Sequence, residues 1–105
     1  MKIIDTRYGL HEIVIAKFHR YQNGQTAIKL ETTEGEPWLS ATVAVPQAIP
    51  AGCVGVKDWS ENEGVPGVLI DGGLIEGEPV QHVRSGFVTI PVYRLTPAAL
   101  AEIRV

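Results

Sequence analysis

The chain has 105 residues, of which 45% are hydrophobic and 20% charged, and its net charge is −3. These values are typical of one globular domain; they exclude an intrinsically disordered chain, and no apolar run is long enough for a transmembrane helix. A lone cysteine, Cys53, excludes an internal disulfide, and the N-terminus has no secretory pattern, so a cytoplasmic protein is predicted.

The first half of the chain predicts a meander of antiparallel strands. Residues 11–21 are rich in β-branched and aromatic side chains, and Asn23-Gly24 after them is a strong hairpin signal because both residue types tolerate positive φ. Apolar and polar residues then alternate over 26–31, which is typical of a half-buried strand. A turn at 34–37 leads into a third strand over 38–45, and Pro46 and Pro50 close the meander.

A fourth strand is predicted over 53–57, followed by the most polar segment of the chain. Ser60 and Glu63 there have the spacing of a capping box, and Val65 and the apolar residues after it fall at helical intervals. A short helix should therefore begin near residue 62 or 64, hold Pro66 in its first turn and end at Gly72-Gly73.

The last third of the chain predicts a turn at 77–79 and an extended stretch over 80–95 that is broken near 85–86. Pro91 cannot donate a ladder hydrogen bond, so its strand should be an edge strand or carry a bulge. Thr96 and Pro97 predict a C-terminal helix whose Leu100 and Ile103 face the sheet. The predicted fold is one α+β domain over residues 1–105, with a twisted antiparallel sheet of about five strands, a short middle helix and a short C-terminal helix.

The charges are segregated along the sequence. Between Glu31 and Glu78 nine residues are acidic and only Lys57 is basic, a net charge of −8, whereas the two ends together carry eight basic and three acidic residues, a net charge of +5. Such asymmetry predicts an uneven surface potential that steers partners. The acidic residues of the middle segment are Glu31, Glu34, Glu36, Asp58, Glu61, Glu63, Asp71, Glu76 and Glu78.

No catalytic, metal or cofactor signature is present. Cys53 lies in an apolar strand that raises a thiol pKa, and His11, His19 and His82 have no fixed relation to it. The loop at 58–63 lacks the ligand pattern of a calcium loop, and the glycine-rich segments match no phosphate loop. A non-enzymatic protein without metal or cofactor is predicted; a small hydrolase or ligand-binding domain would need a deep pocket with convergent polar groups.

Two binding sites are predicted instead. The first is partner-binding and consists of Asp58, Trp59, Glu61, Asn62 and Glu63, because a tryptophan among exposed acids can anchor a protein interface with a basic surface. Trp59 can equally fill the core beneath the loop, and both interpretations stay open.

The alternative is a nucleic-acid-binding site on the strand over 11–21. Its candidate residues are Lys17, Arg20, Tyr21 and Lys29, because basic and aromatic side chains alternate there. The other interpretation of these charges is protection of an edge strand against aggregation. The Pro91 strand is either a free edge or a homodimer seam, and no membrane partner is expected.

The chain also resembles a family of small proteins encoded on bacterial plasmids, phages and integrative elements. The resemblance rests on residues 31–37 leading into 41–43, on the run Asp58-Trp59-Ser60-Glu61-Asn62-Glu63-Gly64, and on segments around 86–88 and 91–97; it departs at Pro66-Gly67. It implies an accessory gene on mobile DNA and no catalytic residue. The predicted function is therefore a mobile-element accessory protein that binds another protein through its acidic loop, an inhibitor of a host defence system being one version.

Overall fold

Two four-stranded antiparallel sheets and two short helices make up the fold of the computed structural model, which describes residues 1–103. Sheet 1 has the strand order β1-β2-β3-β4, formed by Lys2–Asp5, Glu12–Arg20, Thr26–Thr32 and Pro37–Ser40. Sheet 2 has the order β5-β6-β8-β7, in which β5 is Thr42–Val43, β6 is Cys53–Val56, β7 is Ile75–Ser85 and β8 is Val88–Leu95. Helix α1 is Val65–Asp71 and helix α2 is Pro97–Ile103. The single-domain α+β class is confirmed.

The number of strands and their division between sheets differ from the prediction. The strand expected over 38–45 is interrupted at Ala41, so that β4 belongs to sheet 1 and β5 to sheet 2. The backbone of Ala41 joins the two sheets, because its N–H donates to the Ile28 carbonyl and its own carbonyl accepts from Lys57. Strand β1 was not predicted, since four residues of mixed polarity give too short an alternation.

The strand that contains Pro91 was predicted to be an edge strand, and that prediction was wrong. The reason given for it, the missing amide hydrogen of Pro91, still applies in part. Strand β8 lies inside sheet 2, between β6 and β7. The pairing of β8 with β6 ends at Val92, however. Pro91 lies just beyond it, so Pro91 has a neighbouring strand on one side only and its missing amide hydrogen is tolerated. The predicted turn at 77–79 was also wrong: β7 runs through it, and the register irregularities on either side of Pro79 absorb the extra residues.

Turns and caps follow the sequence only in part. In the β2–β3 hairpin Gly24 has a φ of 85° but Asn23 has no positive φ, so the turn is not the two-residue form that Asn-Gly favours. The capping box was wrong: Ser60 lies in a 3-10 turn, Ser60–Asn62, and helix α1 begins after Gly64 without a side-chain cap. Thr96 does cap α2, because its Oγ1 accepts from the Ala99 N–H at 3.1 Å.

Apolar side chains pack on both faces of sheet 2. The main core lies between sheet 1, one face of sheet 2 and the two helices, with Leu100 and Ile103 of α2 packed against it as predicted. A second, smaller cluster covers the other face of sheet 2. Burial on both sides explains why β6 is apolar throughout. The second cluster contains Val45, Cys53, Val83, Ile90 and Val92.

Candidate functional site: the acidic loop and its anchors

Residues 58–63, here called the acidic loop, connect the end of β6 to helix α1. The loop includes the 3-10 turn Ser60–Asn62, and Ser60 adopts a left-handed φ of 54° that is costly for a residue with a Cβ. Three polar anchors hold this conformation: Arg7, Asn62 and Asp58.

The first anchor starts from a buried ion pair in sheet 1. Asp5, which is 0% exposed, accepts hydrogen bonds from Arg7 Nε at 3.0 Å and Arg7 Nη2 at 2.9 Å. Trp38 Nε1 donates to the same carboxylate at 2.9 Å. The remaining guanidinium nitrogen, Nη1, donates to the backbone carbonyl of Glu61 at 2.9 Å. Arg7 therefore fastens the acidic loop to the end of β1.

Charge and hydrogen bonding both favour the ionised form of this pair. Burial by itself raises the pKa of Asp5, but the hydrogen bonds from Arg7 and Trp38 outweigh it and hold that pKa below its usual range. The hydrogen bonds to Asp5 raise the pKa of Arg7. The pair thus stays charged throughout the physiological range of pH.

The second and third anchors come from the loop's own side chains. Asn62 is buried, and its Nδ2 donates to the Ser40 carbonyl at 2.8 Å. Asp58 Oδ1 accepts from the backbone N–H of Gly64 at 3.0 Å, which ties the start of the loop to the start of α1. Asn62 was predicted to touch a partner; its burial and its bond to Ser40 give it a structural role instead.

Trp59 packs against the second cluster of sheet 2. Its side chain is half-buried. Of the two interpretations that the sequence left open, this placement matches a core-filling residue beneath the loop. The loop residues that stay exposed with charged side chains are Asp58, Glu61 and Glu63.

The nine acidic residues of the middle segment belong to four parts of the fold. They lie in the β3–β4 hairpin, the acidic loop, the end of α1 and strand β7. Burial raises the pKa of Tyr93, and the charges of Asp58 and Glu78 raise it further. Within residues 1–103 no salt bridge involves any of the nine. No three described His, Cys, Asp or Glu side chains are close enough together to hold a metal ion.

The structure separates the four residues of the alternative basic site. Lys17 and Lys29 are direct partners in the β2–β3 register, and both are exposed. Arg20 instead donates to the Gly24 carbonyl in the hairpin turn at 2.9 Å. The Tyr21 hydroxyl bonds to Thr42 Oγ1 at 2.9 Å and the side chain is half-buried, so Tyr21 makes a structural contact, and its part in nucleic-acid binding stays a prediction.

Four residues that organise this side of the molecule were not predicted from the sequence: Asp5, Arg7, Tyr8 and Trp38. An Asp and an Arg two positions apart are too common to be informative, and their partners lie 33 and 54 residues away. The single local signal is Tyr8-Gly9, where a glycine follows a residue that the fold holds at a φ of 56°.

Cys53 is buried beneath the loop that precedes β6, and we expect it to be unreactive in the folded protein. Burial raises the pKa of the Cys53 thiol, with a smaller opposing effect from Arg94. Its reaction with a disulfide reagent at mildly alkaline pH should therefore be at least about tenfold slower in the native protein than in concentrated guanidinium chloride. Similar rates in the two conditions, followed by absorbance of the released thiolate, would contradict this burial.

Among the described residues neither helix has the length and apolar content needed to cross a bilayer. Comparison with protein-family models found no match, and comparisons with curated proteins and with solved structures found none that is significant. The resemblance to proteins of mobile elements therefore stays a prediction.

Proposed function

We propose that this protein is a non-enzymatic binding domain that presents its acidic loop to a basic surface of another protein. The proposal is supported chiefly by the preorganisation of the loop. Arg7 and Asn62 hold its backbone at two points, and Asp58 ties it to the start of α1. A loop that is already ordered loses little conformational entropy on binding, so more of the contact energy contributes to affinity.

The exposed carboxylates supply the chemistry of recognition. Glu61 and Glu63 are exposed, and neither takes part in a salt bridge within residues 1–103. Unpaired charges at the rim of an interface accelerate association with an oppositely charged partner and exclude partners of the same charge. We therefore propose a protein partner with a basic surface. In the specific form of this proposal, that surface normally holds nucleic acid and the partner belongs to a bacterial defence system.

The proposed setting is the bacterial cytosol, with the gene carried on mobile DNA. The cytosolic location is supported by the single reduced and buried thiol of Cys53. The proposal that the gene is carried on mobile DNA rests on the sequence resemblance alone.

A charge-reversal experiment tests the acidic loop. We expect the double variant Glu61→Lys plus Glu63→Lys to lose capture of at least one protein that the immobilised wild type retains from a bacterial lysate. With the purified partner, the association rate at low salt should fall by about tenfold or more, because attraction becomes repulsion.

The matched control is the double variant Glu34→Lys plus Glu36→Lys. These residues are exposed in the β3–β4 turn, and the variant makes the same change in net charge. If every captured protein is lost equally from both double variants, or none is lost from the loop variant, binding depends on net charge or on another surface and the proposal fails.

A further inference from the structure

Two clefts meet at strand β4, and the first of them also reaches Glu61 and Asn62 of the acidic loop. The first, of about 420 Å³, is lined by Tyr8, Leu10 and Lys57, and the second, of about 330 Å³, by His19 and Lys29. Trp38, Leu39 and Ser40 line both clefts, so Trp38 lies where the two meet. This combined region is called the Trp38 surface below.

Two aromatic side chains on the Trp38 surface are held in place without being fully covered. Trp38 is skipped in the register between β3 and β4, and its Nε1 bond to Asp5 fixes the orientation of the ring. Tyr8 is 75% exposed, although its left-handed φ of 56° costs free energy that a glycine or asparagine would not require. The Arg7 guanidinium lies 5.7 Å from the Tyr8 ring centre, and the rest of the ring surface faces solvent. Trp38 is half-buried and packs against the main core, so it offers part of a ring in a fixed position, whereas Tyr8 offers an exposed ring. Aromatic rings held in fixed positions are suitable platforms for stacking.

Amines lie beside this surface: Lys57 lines the first cleft and Lys29 the second, and Lys17, which lines neither cleft, is the neighbour of Lys29 on β2. Lys17 and Lys29 stand directly opposite each other on β2 and β3, an arrangement of like charges that destabilises a sheet. Neither lysine forms a salt bridge within residues 1–103, and Lys57 adds a third amine at the first cleft. Glu31 and Glu61 also line the clefts and oppose an anionic ligand, so the net positive charge at this surface is small.

We propose that the Trp38 surface binds short single-stranded nucleic acid. Bases would stack on Trp38 and Tyr8, while Lys17, Lys29 and Lys57 contact the phosphates. Interleaved aromatic rings and amines are the features by which proteins bind single strands without reading sequence. This site keeps Lys17 and Lys29 of the basic site predicted from sequence, and it uses Trp38 and Tyr8 as stacking residues in place of Tyr21, whose hydroxyl is bonded to Thr42. It is independent of the acidic-loop proposal.

The test is a titration of the purified protein with a fluorescein-labelled oligothymidylate of about 12 nucleotides, long enough to cross both clefts. Binding measured by anisotropy should weaken with salt, and three phosphate contacts predict a slope of about −2 in log K against log salt between about 25 and 200 mM. The variant Lys17→Gln plus Lys29→Gln should reduce the magnitude of that slope by about 1.4.

The stacking residues are tested by Tyr8→Asn, because asparagine tolerates a left-handed φ and the fold should be kept. We expect a loss of affinity of about fivefold or more, with a melting temperature equal to or above that of the wild type. The matched control is Phe87→Asn, at a fully exposed aromatic residue in the β7–β8 turn, which should bind like the wild type. In a Trp59→Phe background, Trp38 is the sole tryptophan, and its fluorescence should be quenched on binding.

The acidic residues distinguish this site from the proposed protein interface. Glu61→Lys removes a carboxylate from the first cleft and should strengthen binding of the oligonucleotide, whereas the acidic-loop proposal expects the same change to weaken binding of a protein partner. No binding at the lowest salt, a slope near zero, or equal affinities of the wild type and Tyr8→Asn would overturn the nucleic-acid proposal and leave the acidic-loop proposal intact.

Discussion

Replacing Asp5 by asparagine should lower the free energy of unfolding by about 3 kcal/mol, because breaking a buried ion pair leaves the other charge without compensation. Asparagine has nearly the same size, so the change removes charge and one acceptor and leaves packing almost unaltered. The Arg7 side chain is only 12% exposed and would lose its carboxylate, and Trp38 Nε1 would compete for the one remaining oxygen. Urea denaturation followed by tryptophan fluorescence measures the loss.

The control for this variant is Glu102→Gln. Glu102 forms the other ion pair found within residues 1–103, with the N-terminal amine at 3.5 Å, and its side chain is 47% exposed. Since exposed ion pairs contribute little, the change should stay within about 0.5 kcal/mol. A loss for Asp5→Asn no larger than that of the control would mean that the Asp5–Arg7–Trp38 network does not stabilise the fold.

The lowered pKa of Asp5 also predicts how the stability of the fold depends on pH. Hydrogen bonds from Arg7 and Trp38 hold the pKa of Asp5 below its usual range in spite of burial, so the unfolded state takes up the proton first as the pH falls. The stabilisation by Asp5 is therefore complete above about pH 5 and declines as the pH falls through the unfolded-state pKa of about 3.9 towards the lower folded-state value. The stability difference between wild type and Asp5→Asn should shrink over this range. A constant difference would contradict the lowered pKa.

The parts of the fold that could be predicted from sequence are those whose cause is local. Alternation over 26–31 gave β3, and the pair Thr96-Pro97 gave the start of α2, because each pattern and its consequence lie within one element. The division of the third strand could not be predicted in this way. Ala41 bonds to Ile28 in one direction and to Lys57 in the other, and neither partner is marked by anything in the residues around Ala41.

The candidate site shows the same limit more strongly. The sequence identified the acidic loop from its own residues and found its exposed carboxylates, but it could not decide the direction of Trp59, which depends on the packing of sheet 2. It also missed Arg7, because the anchor of the loop lies 54 residues earlier in the chain. The charge asymmetry was also counted along the sequence, and the nine acidic residues of the middle segment belong to several elements of the fold.

The second prediction concerns Gly55, in the middle of strand β6, where the two faces of sheet 2 are both buried. A Cβ at this position would lie 2.5 Å from Val45 Cγ2 and 2.9 Å from Ile90 Cγ2. Both neighbours belong to the second cluster and cannot move into solvent. Gly55→Ala should therefore lower the free energy of unfolding by about 1–3 kcal/mol, as overpacking of a dense core does.

Gly77→Ala is the matched control for this change, since Gly77 lies in β7 with open space around its Cα and should shift stability by no more than about 0.5 kcal/mol. Overpacking also predicts a specific coupling. In a Val45→Ala background the closest contact is removed, so Gly55→Ala should cost less there than in the wild type when both are measured by urea denaturation. Equal costs in the two backgrounds would show that Val45 does not press on Gly55, and that the cost comes from the contact with Ile90 instead.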